Sequence, residues 1–139
     1  MFVHRREVQI QWSDCDPANI VYYPRYFVIF DHSTLAMLEA ANFSLTDMIQ
    51  KYGFTGIPMA DTRAKFYIPS THGDWLTIET RIESVRRSSF DIKHNVYKGD
   101  MLAIEGFETR VLVGRDPANP DKMKSVPLPP EVVAKFMEG

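Results

Sequence analysis

The chain has 139 residues, 16 Lys and Arg against 18 Asp and Glu, a net charge of -2 and a 45% apolar composition, which fits one domain, residues 1–139, with a sizeable core. A pI of about 6.1 argues against nucleic acid or an anionic membrane surface as the main partner. Mean hydropathy is -0.23, no apolar run has bilayer-spanning length, the stretch Met1 to Glu7 lacks the apolar centre of a secretory signal, and Cys15 is the single cysteine; together these predict a cytoplasmic protein with no membrane segment and no internal disulfide.

Phe2 to Trp12 sets Val8, Ile10 and Trp12 against Glu7, Gln9 and Gln11, the two-residue period of a strand. Ser13 to Tyr23 reads as a loop containing Pro17. Pro24 suits a first helical position, because it has no N–H to lose and its φ is already helical. Arg25 to Phe43 then runs without Gly or Pro. Phe27, Phe30, Met37, Leu38 and Ala41 make a helical stripe, widened by Tyr26, Ile29 and Leu35 and interrupted by Asp31, His32 and Glu39. A helix apolar most of the way round is covered on several sides. Ser44-Leu-Thr-Asp47 has the form of a capping box with Asp in place of Glu, opening a short helix that Gly53 ends.

Pro58 to Ile68, Asp74 to Val85, Phe90 to Val96 and Met101 to Val113 alternate as strands. They are joined by a turn between Pro69 and Gly73, by Arg86-Arg87-Ser88-Ser89, and by the hairpin signal Lys98-Gly99-Asp100. Gly106 marks a bulge or kink inside the last strand. Asp116 to Asp121 reads as loop, and Pro127 to Phe136 as a proline-led tail ending in a short helix. Strand, loop, long helix, short helix and then strands with tight turns is an α+β order, an antiparallel sheet wrapped around one long central helix.

The chemistry concentrates where the acidic loop meets the long helix. Free N–H groups near Tyr22 to Tyr26 lie at the positive end of the helix dipole and favour an anion or a developing oxyanion. Asp16 supplies a carboxylate a few residues upstream, a pairing suited to acyl transfer; by itself Asp16 reads equally well as a turn residue before Pro17. Asp14-x-Asp16 has no further ligand cluster nearby, so no metal is expected and Asp14 is assigned turn or cap hydrogen bonds. Flanking carboxylates disfavour a Cys15 thiolate, which leaves a small buried side chain.

Asp31 on an apolar helix needs a partner. Arg25, Arg63 or a neighbouring subunit is one reading and a substrate contact the other. His32 is assigned a structural role, His4 a surface position and His72 a turn, while His94, on the side of Phe90 and Ile92, reads as a hydrogen-bonded, semi-buried residue. Arg86 and Arg87 are either solvated turn charges or phosphate contacts, with Lys122 and Lys124 as further basic candidates. A glycine-rich phosphate loop and a serine nucleophile elbow are both absent from the sequence.

The run Asp14-Cys15-Asp16-Pro17-Ala18-Asn19-Ile20-Val21-Tyr22-Tyr23-Pro24-Arg25-Tyr26 resembles the signature of the hotdog-fold acyl-CoA thioesterases of the 4-hydroxybenzoyl-CoA thioesterase type. The likeness extends to the helix with Asp31, to Gly56-Ile57-Pro58 and to Arg86-Arg87-Ser88-Ser89-Phe90. It implies a five-stranded antiparallel sheet around the long helix, with homo-oligomers, dimers or tetramers, whose active sites lie between subunits. It implies hydrolysis of an acyl-CoA, an aromatic hydroxybenzoyl-like ester among the candidates, to the free acid and CoA with no metal or organic cofactor. In this likeness Asp16 aligns with the catalytic carboxylate, nucleophile or general base, and the Tyr23 N–H with the group that polarises the thioester carbonyl. Asp31 aligns with an aspartate that meets the acyl hydroxyl, and Arg86, Arg87, Ser88 and Ser89 with a segment that holds CoA. Two positions depart from the pattern: Asn19 stands where glycine is usual, and Tyr22, a smaller wall of the acyl pocket carrying a hydroxyl, stands where tryptophan is common. Two alternatives remain on the same sequence: a non-catalytic acyl-CoA-binding module, and an acyl-thioester hydratase or dehydratase, which would need an Asp/His pair on the helix.

Overall fold

A computed structural model describes residues 1–138. The chain first lays down β1 (Val3–Gln9), whose outward residues Arg5 and Glu7 alternate with His4, Arg6 and Val8. Trp12 leaves the strand: it belongs to a short 3-10 turn, Trp12–Asp14, and the residue is 74% exposed, against the expectation that it continues the apolar side of β1. The loop that follows leads into α1 (Pro24–Ala40). Pro24 starts it as expected, but it stops before Phe43, because Asn42 takes a left-handed φ of 64°, a conformation Asn tolerates better than most residues. The helix α2 (Leu45–Tyr52) is opened by Ser44, whose hydroxyl accepts the Asp47 N–H, and closed by Gly53 at φ 74°.

Four further strands complete the main sheet: β2 (Met59–Phe66), β3 (Trp75–Val85), β4 (Ser89–Lys98) and β5 (Met101–Val111). Their order is β1-β3-β4-β5-β2 and every pair is antiparallel. The five-stranded antiparallel sheet matches the sequence reading. Helical structure is not confined to one long helix: α1 has 17 residues, and α2 and a C-terminal α3 (Pro130–Phe136) also bury apolar side chains. The stretch Met101 to Val113 is not one strand, since it breaks at Leu112 and continues as β6 (Val113–Asp116). The segment read as loop from Asp116 turns back as β7 (Asn119–Ser125), which pairs with β6 in a separate two-stranded ribbon.

Gly106 is no bulge. It pairs in unbroken register with His94 and Ala64. Its glycine is required by packing, because a Cβ there would lie 2.6 Å from the ring of Phe30.

The interior is divided in two. One apolar cluster gathers Ile10, Tyr26, Ile29, Phe30, Ile78, Val96 and Ile104. The other gathers Met37, Leu38, Ile82, Phe90, Ile92, Leu112 and Phe136. Between them four elements contribute polar groups to the same layer: Ser33 and Thr34 between Phe30 and Met37 on α1, Thr80 between Ile78 and Ile82 on β3, His94 between Ile92 and Val96 on β4, Glu108 and Arg110 between Ile104 and Leu112 on β5. All six are under 9% exposed, so the core carries a polar belt whose hydrogen bonds must close internally.

Candidate active site

The loop before α1 is built from its own hydrogen bonds. Asp14 is buried, and its carboxylate accepts the Gln11 N–H through Oδ2 at 2.8 Å and the Arg25 Nε through Oδ1 at 3.0 Å. This is the turn role expected for it. The Asp16 N–H donates to the Ile20 carbonyl at 3.1 Å, the Asn19 N–H to the Asp16 carbonyl at 2.8 Å, and the Ala18 N–H to Asp16 Oδ1 at 2.9 Å. Asn19 holds φ 66°, the conformation that makes glycine common in such a turn and Asn its best replacement. Cys15 is half-buried, its Sγ 3.7 Å from the Gln11 carbonyl.

The loop also decides which amides remain free at the start of α1. The Tyr22 N–H donates to the Asp14 carbonyl at 2.8 Å and the Arg25 N–H to the Tyr22 carbonyl at 2.8 Å. Pro24 has none. The Tyr23 N–H has no acceptor among the described residues. Tyr22 and Tyr23 are exposed, their rings edge to face at 5.7 Å. Tyr23 borders an apolar cleft of about 220 Å³ whose floor includes Ile20, Tyr26, Phe66 and Ile68.

Asp31 lies eight residues along α1, about 12 Å from Tyr23 at 1.5 Å per residue. Within the chain its partner is neither Arg25 nor Arg63. Arg25 pairs with Asp14 and Arg63 with Asp61, while Asp31 Oδ1 accepts from Arg110 at 2.7 Å within the same chain. Arg110 in turn donates to Glu108 through Nε at 2.7 Å, and Glu108 accepts from Thr34 at 2.9 Å and from His94 Nε2. His94 Nδ1 meets Thr80 at 2.8 Å, and its ring stacks on Phe30 with centroids 4.8 Å apart. His94 is therefore wholly buried rather than semi-buried. Burial pushes the Glu108 carboxyl up, but hydrogen bonding to His94 and the charges of His94 and Arg110 outweigh this and leave it below its usual range. His32, read from sequence as structural, is exposed, and His4 is half-buried rather than on the surface.

Arg86, Arg87 and Ser88 connect β3 to Ser89, the first residue of β4, and the turn is closed by the Arg86 N–H on the Ser89 carbonyl at 2.8 Å. The two arginines differ. Arg86 grips Asp91 with NH1 at 2.9 Å and NH2 at 2.7 Å, and also reaches Ser84 and Ser89. The Arg87 side chain is exposed and pairs with nothing among the described residues. This connection lies at the far end of β3 from the Asp16 loop, which meets the chain at Ser70 through the Val21 N–H at 2.9 Å. An 11-residue strand separates them, roughly 35 Å at the usual rise. One protomer therefore does not bring Asp16, Tyr22 and Tyr23 together with Arg86 to Ser89.

Glu108 and Arg110 were not singled out by sequence reasoning, though a signal existed. Ile104, Gly106, Glu108, Arg110 and Leu112 share one parity of the strand, so a charged Glu-x-Arg stands on the apolar face.

A family model described as the thioesterase-like superfamily matches residues 10–136. The 4-hydroxybenzoyl-CoA thioesterase of Pseudomonas sp. strain CBS-3 is 28% identical over 131 residues, 90% of this chain and 91% of that protein. The acyl-CoA thioester hydrolase YbgC of Escherichia coli O157:H7 is 26% identical over 135 residues, 96% of each chain. The solved structure of the Pseudomonas enzyme superposes with a TM-score of 0.86 at 26% identity, covering 97% of this chain and 99% of that one. With an antiparallel five-stranded hotdog-like sheet, and with nearly its whole length matched, the chain belongs to the thioesterase-like superfamily.

Proposed function

We propose that the protein is a thioester hydrolase acting on acyl-CoA, with Asp16 as nucleophile or general base and the Tyr23 N–H polarising the thioester carbonyl. The observation that carries the reading is the pattern of commitment around the helix start. Asp14, Tyr22 and Arg25 are engaged with one another, whereas Asp16 Oδ2 and the Tyr23 N–H have no partner among the described residues. A carboxylate beside a thioester either attacks it, giving an anhydride that water opens, or deprotonates the attacking water. Both routes build negative charge on the thioester oxygen, where a single preorganised N–H is worth ~10²–10³ in rate. Nothing in this chemistry calls for a metal or organic cofactor.

Asp31 and Tyr22 are read as acyl contacts, and Arg87, with Ser88 and Ser89, as the part of the β3–β4 connection that meets CoA. An aromatic, hydroxybenzoyl-like acyl group fits the similarity to the Pseudomonas 4-hydroxybenzoyl-CoA thioesterase and the Asp31 carboxylate. The separation along β3 supports a homo-oligomer in which Asp16 of one protomer works with the basic connection of another. A cytoplasmic location belongs to the same reading. Thiol release from a panel of aryl and aliphatic acyl-CoAs, run beside Asp16→Asn, tests it. Asp16-dependent turnover is expected. Binding without turnover by the wild type would replace the hydrolase with an acyl-CoA-binding module.

A further inference from the structure

Glu108, Arg110 and Asp31 form a line of charges from the middle of the core to the surface of α1. Glu108 sits at the buried end. Its Oε2 accepts from His94 and Thr34, and its Oε1 accepts from Arg110. Arg110, itself 6% exposed, cannot swing, because Nε is held by Glu108, NH1 by the Ile57 carbonyl at 3.3 Å and NH2 by Asp31 Oδ1 at 2.7 Å. Asp31 ends the line with its side chain 47% exposed. Its second oxygen accepts no hydrogen bond among the described residues. Asp31 and Arg110, with Leu35, Ile57 and Pro58, line a cleft of about 390 Å³.

A buried ion pair is often no more stable than apolar residues of the same size, because desolvating two charges offsets their attraction. The network nevertheless interrupts the apolar core on four elements to fix a single guanidinium. Its consequence is orientation: one oxygen of Asp31 is tied down and the other left open in a partly apolar cleft. Such an acceptor discriminates strongly, since an acyl group without a hydroxyl would leave it unpaired.

We infer that Arg110 is a positioning residue for acyl selectivity: clamped by Glu108, which His94 and Thr34 hold in turn, it fixes Asp31 with one oxygen free to accept a hydroxyl of the acyl group. The inference rests on the thioesterase reading for the identity of the ligand. Arg110→Lys keeps the charge but removes the fork that spans Glu108 and Asp31. Glu108→Gln keeps an acceptor for Arg110 and serves where Arg110→Lys does not fold.

The experiment measures kcat/KM and calorimetric Kd for 4-hydroxybenzoyl-CoA and benzoyl-CoA. The proteins are wild type, Asp31→Asn, Arg110→Lys, Glu108→Gln and the Asp31→Asn/Arg110→Lys double variant. In Arg110→Lys the preference for the hydroxylated ester falls at least about 10-fold, the scale of one hydrogen bond to a charged group, while benzoyl-CoA changes by less than about 3-fold. The double variant loses no more selectivity than Asp31→Asn, because the two residues act as one unit. Glu108→Gln falls in between. Equal losses on both esters would assign Arg110 a merely structural role and overturn the inference, as would a wild type indifferent to the hydroxyl in both kcat/KM and Kd. Asp16-dependent hydrolysis without hydroxyl selectivity sinks the positioning role and leaves the hydrolase standing. Hydroxyl-dependent binding that Arg110→Lys abolishes, in a protein without turnover, does the reverse.

Discussion

The N–H of Tyr22 donates to the carbonyl of Asp14 at 2.8 Å, and this single bond folds the acidic loop back onto the start of α1. It uses the amide before Tyr23 and leaves the Tyr23 N–H as the open donor, while the Asp14 carboxylate is bound to Gln11 and Arg25. Of the two loop carboxylates, Asp16 is therefore the one available for chemistry.

Replacing Asp16 by Asn should abolish most turnover and little else. The amide oxygen of Asn can still accept the Ala18 N–H that Asp16 Oδ1 accepts now, so the loop keeps its turn. A loss of at least ~10²-fold in kcat with an unchanged unfolding transition is expected from removal of a nucleophile or general base. Steady-state thiol release beside thermal unfolding checks both halves, and near-wild-type turnover by a folded variant would remove Asp16 from the mechanism.

Arg87 and Arg86 should separate. The free Arg87 side chain is the one able to meet a phosphate, whereas Arg86 is already held by Asp91. Arg87→Ala should raise KM for CoA esters by roughly 3- to 10-fold, about the worth of one partly exposed charge contact, and leave short thioesters lacking the nucleotide unchanged. Arg86→Ala should act chiefly on stability. Parallel kinetics on the two substrate types decides, and a larger KM effect from Arg86→Ala would reverse the assignment.

Asp91 gives the stability a defined acid limb. The hydrogen bonds of Arg86 hold its carboxyl well below the usual range, against partial burial and helped by Ser84 and Thr109. A carboxyl depressed in the folded state stabilises above the unfolded value of about 3.9, and that contribution is lost as pH falls through the folded value. Asp91→Asn should be ~0.5–1 kcal/mol less stable than wild type at pH 7, the scale of a partly exposed pair, and the gap should narrow below about pH 4. Urea unfolding at pH 7 and pH 3 measures it; a gap that widened in acid would contradict the assignment.

Gly106→Ala should overpack the core. The new Cβ would sit 2.6 Å from Phe30, and such insertions cost about 1–3 kcal/mol. Phe30→Leu on top of Gly106→Ala should recover part of that loss, since the obstructing ring is gone. Denaturant midpoints of the two single variants and the double variant test the coupling, which is absent if the losses simply add.

Asn19 should tolerate glycine better than alanine. Its φ of 66° costs an ordinary L-residue about 1–2 kcal/mol and glycine little. Asn19→Gly should stay within ~0.5 kcal/mol of wild type and Asn19→Ala should lose about 1 kcal/mol, both read from thermal unfolding with the Asp16-dependent rate alongside.

Local order was written in the sequence. The alternation of β3, β4 and β5, the proline that starts α1, Ser44 and Gly53 around α2, and the acidic loop with Asp16 all follow from rules acting over a few residues. The sequence misled where a local signal had a distant cause or a distant competitor. Gly106 looked like a kink because glycine often marks one, but its reason is the Phe30 ring arriving from α1. Trp12 continued the strand period, yet the carboxylate of Asp14 draws the chain into a 3-10 turn. The partner of Asp31 was beyond any pattern: Arg110 lies 79 residues away and meets it because antiparallel pairing brings β5 beneath α1. The α+β order was thus legible from periodicity and turn chemistry, while the hotdog arrangement came from the resemblance of the acidic loop to a known signature. The polar belt through the core, and which arginine is bound and which is free, were decided by tertiary packing, because buried charges select partners by proximity in space and not in the chain.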